Sequence, residues 1–221
     1  MRVFTAGAGN GSNVSKIRGR GEPIKGGGFA EGVIPFLEIA DESAGYIKSG
    51  GTTRRAARML ILDDDHPDIM EFIKWKGGEE DKVLAMANGM IVERRAELEK
   101  KGIQGGELAS ALNSYFYELV DYRSNLYATV SGQQANNSIR LSDKFMQILA
   151  EDGDWDLIWR TNPDTKTTIK ARTLWDALCY QAWKCADPGV QYGGTINRWF
   201  TAPQFGEIVS SNPCLSKDSH V

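Results

Sequence analysis

The sequence predicts an α/β fold, and three observations lead to that prediction. Apolar residues recur at helical spacing in several segments, most clearly over residues 33–48. A short apolar run from Met59 to Leu62 has the length and composition of a buried strand. Helical segments and short strand-like runs then alternate along the chain, and this alternation is typical of α/β proteins.

The remaining elements are predicted from turn and cap signals. The segment Asp64–Pro67 predicts a turn, after which Pro67 suits the first position of a helix through Trp75. Apolar spacing predicts a long helix around residues 108–126 and another from Ser142. A capping box at residues 173–176 predicts the start of a further helix. After residues 187–189 the chain is expected to be rich in turns and strand-like, and residues 5–13 are expected to form a loop. We see no internal repeat and no clear linker, so one domain, or part of one, is expected.

Composition excludes several classes of protein. The 221 residues are 41% hydrophobic and 25% charged, with a net charge of −3, so nucleic acid is not an expected partner. No apolar run approaches the roughly 18 residues that span a bilayer, and no signal-peptide pattern opens the chain. We therefore expect no membrane partner and a cytoplasmic location. Three cysteines without CxxC spacing and two histidines indicate neither a disulfide framework nor a metal site.

Two glycine-rich stretches are candidates for phosphate binding. GAGNGS near the amino end and IRGRGEPIKGGG over residues 17–28 could present backbone N–H groups to phosphate oxygens. Arg18, Arg20 and Lys25 would add positive charge. Neither stretch matches the Walker A pattern or GxGxxG before a helix, so structural turns are the commoner explanation.

A third stretch, SGGTTRRA over residues 49–56, places two adjacent arginines behind a double glycine. Guanidinium groups on such a loop suit phosphate or carboxylate, while a solvated helix start explains the same residues equally well. The run Asp63–His66 could suggest a metal site, but we prefer a turn before a helix. Cys179 and Cys185 are expected to be small buried side chains, whereas Cys214 lies in a polar loop where a reactive thiol is plausible.

Taken in order, several motifs resemble the large chain of ribonucleotide reductases over nearly the whole length. They are GNGSNVSKIRGRGEPIKGGG, IKSGGTTRRAARM, LDDDHPDIMEFIKWK, NNSIRLSDKFM, WDALCYQAWKCADPGVQY and TINRW leading to SSNPC. Each motif is modest, but their order and spacing make the resemblance specific. NNSIRLSDKFM and the proline of NPC resemble the adenosylcobalamin-dependent class.

The resemblance implies part of a ten-stranded α/β barrel, incomplete at both ends, made of two antiparallel halves of parallel strands. In this family a finger loop inside the barrel carries a cysteine that becomes a thiyl radical, and adenosylcobalamin is the implied cofactor. The thiyl takes the 3′ hydrogen of a ribonucleotide, water leaves from C2′, and a cysteine pair supplies electrons. A thioredoxin-like reductant is implied as a partner.

Site residues follow from the same resemblance. Cys214 matches the radical cysteine, and Asn212 matches the asparagine that hydrogen-bonds the ribose hydroxyls. The stretch IRGRGEPIKGG would be the first specificity loop and would bind a dNTP or ATP effector. Residues 49–56 would be the second loop, which relays effector identity to the substrate base, and the helix over 33–48 would pair across a homodimer. The implied effector and nucleotide contacts are Arg18, Arg20, Lys25, Lys48, Gly50, Gly51, Thr52, Thr53, Arg54 and Arg55. No metal ligand is implied.

The chain departs from the family pattern after Cys214. Ser216 stands where the family has a glutamate that acts as base on the 3′ hydroxyl, and a serine hydroxyl cannot fill that role. Cys179 and Cys185 match no redox position. We therefore expect residues 1–213 to be a partial catalytic barrel that is inactive alone. Residues 214–221 resemble the opening of an intein, in which Cys214 would attack the preceding carbonyl. Plain truncation with a divergent tail is the alternative.

Three rival interpretations stay open at the level of sequence. A non-catalytic nucleotide-binding or dimerising module would keep the loops and lack reductase activity. A glycyl-radical enzyme with a related barrel would share the fold. A structural α/β protein with accidental glycine loops is disfavoured by the ordered series of motifs.

Overall fold

A computed structural model describes residues 9–46 and 58–212 of the chain. The helices and strands are β1 (Asn10–Asn13), α1 (Val33–Tyr46), β2 (Arg58–Asp63), α2 (Ile69–Lys100), α3 (Gly105–Leu119), β3 (Ala135–Leu141), α4 (Asp143–Ala150), β4 (Asp154–Ile158), β5 (Lys166–Lys170), α5 (Ala171–Cys185), β6 (Gly189–Tyr192) and α6 (Gly193–Arg198). Short 3₁₀ turns cover Tyr127–Thr129 and Pro203–Phe205.

Four strands form a parallel sheet in the order β1-β2-β3-β6. In its register, Asn13 lies beside Ile61, Asp63 beside Arg140, and Arg140 beside Gln191. Strands β4 and β5 form a separate antiparallel hairpin. The prediction of a mixed α/β fold is confirmed, with parallel strands joined by helical connections.

The two faces of the parallel sheet differ in chemistry, because successive side chains of a strand point to opposite sides. One face packs apolar side chains against the helices in a common core; its strand residues include Leu60, Leu62, Ala135, Ile139 and Leu141. The other, called the polar face below, carries Gly11, Asn13, Asp63, Ser138, Arg140 and Gln191. Met59 and Ile61 share that second face and are buried.

The chain divides into two compact units, of which residues 76–133 form the smaller. In this unit the later part of α2 packs on α3 through Leu98, Leu108 and Leu112. Glu79, which is buried, accepts a 2.7 Å hydrogen bond from the backbone N–H of Ser131. The larger unit contains the parallel sheet and its core. No helix among the described residues is long and apolar enough to cross a bilayer.

Several local predictions are confirmed. Strand β2 contains the predicted run Met59–Leu62, and residues 64–67 form a turn. Ser142 caps α4, since its hydroxyl accepts a 3.0 Å hydrogen bond from the N–H of Phe145.

Other predictions are wrong at the ends of elements. Residues 10–13 form β1 rather than loop, because they pair with β2. Helix α2 begins at Ile69, beyond Pro67, and continues to Lys100. Helix α3 ends at Leu119, after which Asp121 accepts a 2.9 Å hydrogen bond from the N–H of Arg123 and forms a turn. The capping box is wrong too, since α5 already begins at Ala171.

Candidate functional site

Residues 207–212, called the approach segment below, lie against the polar face of the sheet. A β-carbon built on Gly11 of β1 would collide with the carbonyl oxygen of Ser211. Asn13 donates a 3.3 Å hydrogen bond to the carbonyl of Val209, and Gln191 Nε2 donates a 2.7 Å hydrogen bond to Ser211 Oγ. Only glycine at position 11 permits this close approach of two backbones.

Asn197 of α6 holds the same segment from a second direction. Its Oδ1 accepts a 2.9 Å hydrogen bond from the N–H of Ile208, while its Nδ2 donates to the carbonyl of Ile208 at 3.3 Å. Both backbone groups of Ile208 are therefore satisfied by one side chain. Helix α6 can start directly after β6 because Gly193 leaves room for Arg140, whose Nε would lie 2.7 Å from a β-carbon there.

Glu22 anchors the base of the glycine-rich loop between β1 and α1. Its buried carboxylate accepts hydrogen bonds from the N–H groups of Gly19 (2.7 Å), Arg160 (3.0 Å) and Thr161 (2.8 Å), and from the Thr161 hydroxyl (2.8 Å). Burial raises the pKa of Glu22, but these four donors outweigh burial and lower the pKa below 4.5. The carboxylate is thus charged and fully coordinated by donors at neutral pH.

The turn after β2 holds both ends of the same loop. Asp68 accepts 2.9 Å hydrogen bonds from the N–H of Arg20 and from the N–H of Val33, the first residue of α1. His66 Nδ1 accepts from the N–H of Asp68 at 3.0 Å, and Nε2 lies 2.8 Å from the carbonyl of Ile17. Burial lowers the pKa of His66, so the neutral ring accepts at Nδ1 and donates at Nε2.

The tip of the loop is exposed, in contrast to its base. Arg18 and Lys25 are exposed, and the side chain of Arg20 pairs with Glu71 at 2.8 Å. Phe29 is 72% exposed, beyond a run of three glycines at 26–28 whose φ angles are positive. Positive φ is easy only for glycine, so this tip needs the glycines that the sequence provides. Two basic side chains therefore remain available to a ligand beside a fixed base.

A cleft of about 590 Å³ lies at the carboxyl ends of β2 and β3. Most of its carboxylates are paired: Asp63 with Asn13, Asp65 with Arg160, and Asp156 with Lys166. Asp64 is buried, and burial raises its pKa to about 6, although Ser142 donates to its carboxylate at 2.6 Å. Because these groups already have partners within the protein, we interpret the run Asp63–His66 as a structural turn.

The predicted site residues fall partly within the described chain. Asn212 is exposed at the end of the approach segment. Cys214 and residues 214–221, with the intein hypothesis, lie outside the described residues, as do Lys48, Gly50, Gly51, Thr52, Thr53, Arg54 and Arg55. Among the other cysteines, Cys179 is exposed, so its predicted burial is wrong, because it lies on the outer side of α5. Cys185 is half-buried and its thiol donates to the carbonyl of Gln181 at 3.4 Å.

Sequence reasoning missed Glu22, Asp68 and Asn197. All three act on backbone groups of distant or irregular segments, and Glu22 and Arg160 are separated by 138 positions. Each lies within a motif quoted above: Glu22 in IRGRGEPIKGGG, Asp68 in LDDDHPDIMEFIKWK and Asn197 in TINRW. The motifs therefore indicate where these residues are, but they do not indicate what each residue does.

Comparison with known proteins decides the family. Residues 1–216 match the family model described as the ribonucleotide reductase barrel domain. The chain belongs to this family. It is 39% identical to a vitamin B12-dependent ribonucleotide reductase of Bradyrhizobium diazoefficiens, over 96% of this chain and 20% of that protein. The corresponding reductase of Streptomyces avermitilis is 40% identical over 96% of this chain and 19% of its own length.

A more distant relative has the same kind of name. A vitamin B12-dependent ribonucleoside-diphosphate reductase of Thermoplasma acidophilum is 33% identical over 96% of this chain and 21% of its own length. The chain thus spans about a fifth of the length of the curated relatives that it matches.

The names of these relatives imply a cobalamin cofactor, and the described residues do not surround one. His66 uses both ring nitrogens in hydrogen bonds and offers none to cobalt. Seven of the seventeen residues that line the cleft beside Asp64 are carboxylates, and Asp63, Asp65 and Asp156 among them already have partners. These residues therefore do not fit the cofactor on their own.

Proposed function

We propose that this chain is part of the catalytic subunit of a ribonucleotide reductase that converts ribonucleotides to 2′-deoxyribonucleotides for DNA synthesis. One observation carries the proposal: the segment leading to Cys214 lies across the polar face of a parallel sheet, held there by Asn13, Gln191 and Asn197. If the sheet is part of a ten-stranded barrel, its polar face is the interior, and the approach segment is the start of the finger loop.

Adenosylcobalamin bound in the complete enzyme would contribute the radical chemistry, and the residues described here would not hold it by themselves. The Cys214 thiyl takes the 3′ hydrogen of the ribose and becomes a thiol. Asn212 holds the ribose hydroxyls, water leaves from C2′, and a cysteine pair elsewhere in the protein supplies two electrons as it forms a disulfide. The hydrogen then returns from Cys214 to C3′.

Regulation would use the loop after β1. Its base is fixed by Glu22 and Asp68, so Arg18 and Lys25 at the exposed part can meet the phosphates of a dNTP or ATP effector without ordering the whole loop. Helix α1 exposes Phe36 (57%) and Ile39 (73%), which supports its pairing in a homodimer. We include a thioredoxin-like reductant and a cytoplasmic location in this proposal.

A graft tests the function. Residues 1–213 of this chain replace the matching segment of the Bradyrhizobium reductase, which keeps its own sequence from its cysteine onward. We expect ribonucleotide reduction within roughly tenfold of the host, since the replaced segment would be equivalent in fold. A graft that folds, binds effector and reduces no ribonucleotide would contradict the proposal. A graft carrying a serine at the host cysteine is the negative control.

A second graft tests the effect of serine at position 216, where the family has a glutamate. Extending the replaced segment to residues 1–216 introduces the serine, and we expect turnover to fall roughly 10²- to 10⁴-fold because the general base is lost. Ser216→Glu in this longer graft should restore activity. The 221-residue chain alone is expected to reduce no ribonucleotide with adenosylcobalamin and a dithiol.

A further inference from the structure

Asn197 has a geometry that a helix-capping or surface role does not require. Its amide forms two hydrogen bonds to one residue, Ile208, and so takes the place of a neighbouring strand for a segment that pairs with none of the described strands at that point. The same Nδ2 also lies 3.2 Å from the carbonyl of Gly193, which fixes the orientation of the amide within α6. A side chain whose direction is fixed in this way can define the position of the backbone it binds.

The opposite side of the approach segment is also fixed. Gly11 brings β1 against Ser211, and Asn13 and Gln191 donate to Val209 and Ser211. All three anchoring side chains are neutral amides, and none of these contacts is an ion pair. Three of the residues 208–211 are therefore bonded to side chains from β1, β6 and α6, and Asn212 follows directly.

We infer that Asn197 is a positioning residue: its paired hydrogen bonds to Ile208 set the course of the chain into Asn212, two positions before Cys214 in the sequence. This inference rests on the proposed function for its catalytic consequence. Five residues lie between Ile208 and Cys214, and two of them, Val209 and Ser211, are themselves held by Asn13 and Gln191. A displacement of about 1 Å at a reacting group can lower a rate roughly 10²-fold, so a small loosening here is measurable.

The first test uses the 221-residue chain. Hydrogen exchange at the Ile208 amide reports the contact directly, because that N–H donates to Asn197 Oδ1. We expect Asn197→Ala to speed this exchange at least tenfold. Thr195→Ala removes an exposed hydroxyl from the same helix and should leave the rate within twofold. Unchanged exchange in Asn197→Ala would overturn the inference.

Asn197→Asp covers the case in which the alanine variant fails to fold. It keeps the acceptor for the Ile208 N–H and places a second oxygen against the Ile208 carbonyl, so we expect faster exchange than in the native chain. Protection equal to that of the native chain would contradict the paired geometry.

A second readout follows the position of Cys214 itself. Alkylation by iodoacetamide, resolved by mass spectrometry, should be at least threefold faster at Cys214 in Asn197→Ala, while Cys179, which is exposed on α5, serves as the internal reference. An unchanged ratio of the two rates would show that Asn197 does not position the loop.

The catalytic consequence is tested in the active graft. Asn197→Ala should lower kcat roughly 10- to 100-fold and change KM for the ribonucleotide much less, since Asn197 acts through the placement of Asn212 and Cys214 and does not itself contact the substrate. Unchanged kcat would refute the positioning role and leave the proposed function standing. An inactive parent graft would refute the proposed function, whereas the exchange and alkylation results would still decide the role of Asn197.

Discussion

The two segments that flank the parallel sheet are held by different chemistry. Carboxylates anchor the loop after β1: Glu22 accepts four hydrogen bonds and Asp68 accepts two from backbone N–H groups. Neutral amides anchor the approach segment at Val209, Ile208 and Ser211. Hydrogen bonds to charged groups are roughly twice as strong as neutral ones. We therefore expect the loop base to open less readily than the approach segment.

A third carboxylate, that of Asp64, shows that burial alone does not enable a carboxylate to hold other groups in place. Glu22 and Asp64 are both buried, yet four donors lower the pKa of Glu22, whereas the donors from Ser142 leave the pKa of Asp64 raised to about 6. At Asp64, burial and the negative charges of Asp65 and Asp63 outweigh the donors, whereas at Glu22 the donors outweigh burial. A buried carboxylate in this fold can thus stabilise or destabilise at neutral pH.

The largest expected effect comes from Glu22→Gln. The amide nitrogen cannot accept and the charge is lost, so two donors lose their acceptor and the other two lose a charged one, and we expect a loss of about 4 kcal/mol in the free energy of unfolding at pH 7. Urea unfolding measures it, with Glu31→Gln at an exposed position as the control. Because the pKa of Glu22 is lowered on folding, its contribution is present above pH 4.5 and is lost as pH falls through the folded pKa. A loss as large at pH 3 as at pH 7 would contradict the charged anchor.

Asp64 should show the opposite pH dependence. Its pKa rises from 3.8 to about 6 on folding, so its protonated form favours the folded state below pH 3.8, and this advantage is lost as pH rises towards 6. The rise in pKa corresponds to roughly 3 kcal/mol. Unfolding measured from pH 4 to pH 7 should show this decline in the native chain and in the exposed control Asp176→Asn. Asp64→Asn should flatten the curve, and an unchanged slope would disprove the assignment.

Gly11→Ala tests the close approach of β1 and Ser211. The added methyl group must displace the approach segment or strain β1, and we expect a loss of about 2 kcal/mol with faster exchange over 208–211. Gly106→Ala is the matched control, because a β-carbon there meets no atom within 4 Å. Its stability should be unchanged or slightly higher. Equal stabilities for the two variants would place Ser211 away from β1.

The smallest effect is expected for the pair Gln191 and Ser211. Gln191→Ala removes one neutral hydrogen bond that is partly exposed to solvent, so we expect about 1 kcal/mol or less. A double-mutant cycle with Ser211→Ala isolates the pair, and its coupling should be about 0.5 kcal/mol. Gln147→Ala on the exposed side of α4 serves as the control. Zero coupling would mean that this contact does not help to hold the segment.

Local signals in the sequence were sufficient for much of the fold. The apolar run of β2, the turn at 64–67 and the Ser142 cap were predictable because each depends on neighbours within a few residues. The β4–β5 hairpin was not predictable, since only one face of it is apolar and the β5 sequence KTTIK shows almost no alternation of apolar and polar residues. The starts of α2 and α5 were each missed by two residues, because local cap signals fix a helix boundary only to within about two residues. The continuation of α2 to Lys100 was missed because the stretch GGEEDK over residues 77–82 interrupts its apolar pattern.

The candidate site divides in the same way. Arg18, Arg20 and Lys25 could be named from charge and glycine content, and the structure leaves Arg18 and Lys25 exposed. The anchors could not be named, because Glu22 meets Arg160 and Thr161 only once the β4–β5 connection is folded against the loop. Asn197 looked like one polar residue of a short motif, and only its two bonds to Ile208 distinguish it from a surface asparagine.

Site-resolved hydrogen exchange of the native 221-residue chain tests the central claim most directly, because it measures both segments in one experiment. The amides of Gly19, Arg20, Val33 and Arg160 donate to carboxylates, and the amide of Ile208 donates to a neutral amide. We expect all five to be protected, with Ile208 exchanging at least tenfold faster than the other four. An Ile208 amide that exchanges at the rate of an unfolded chain, or more slowly than the four carboxylate-bound amides, would contradict the account.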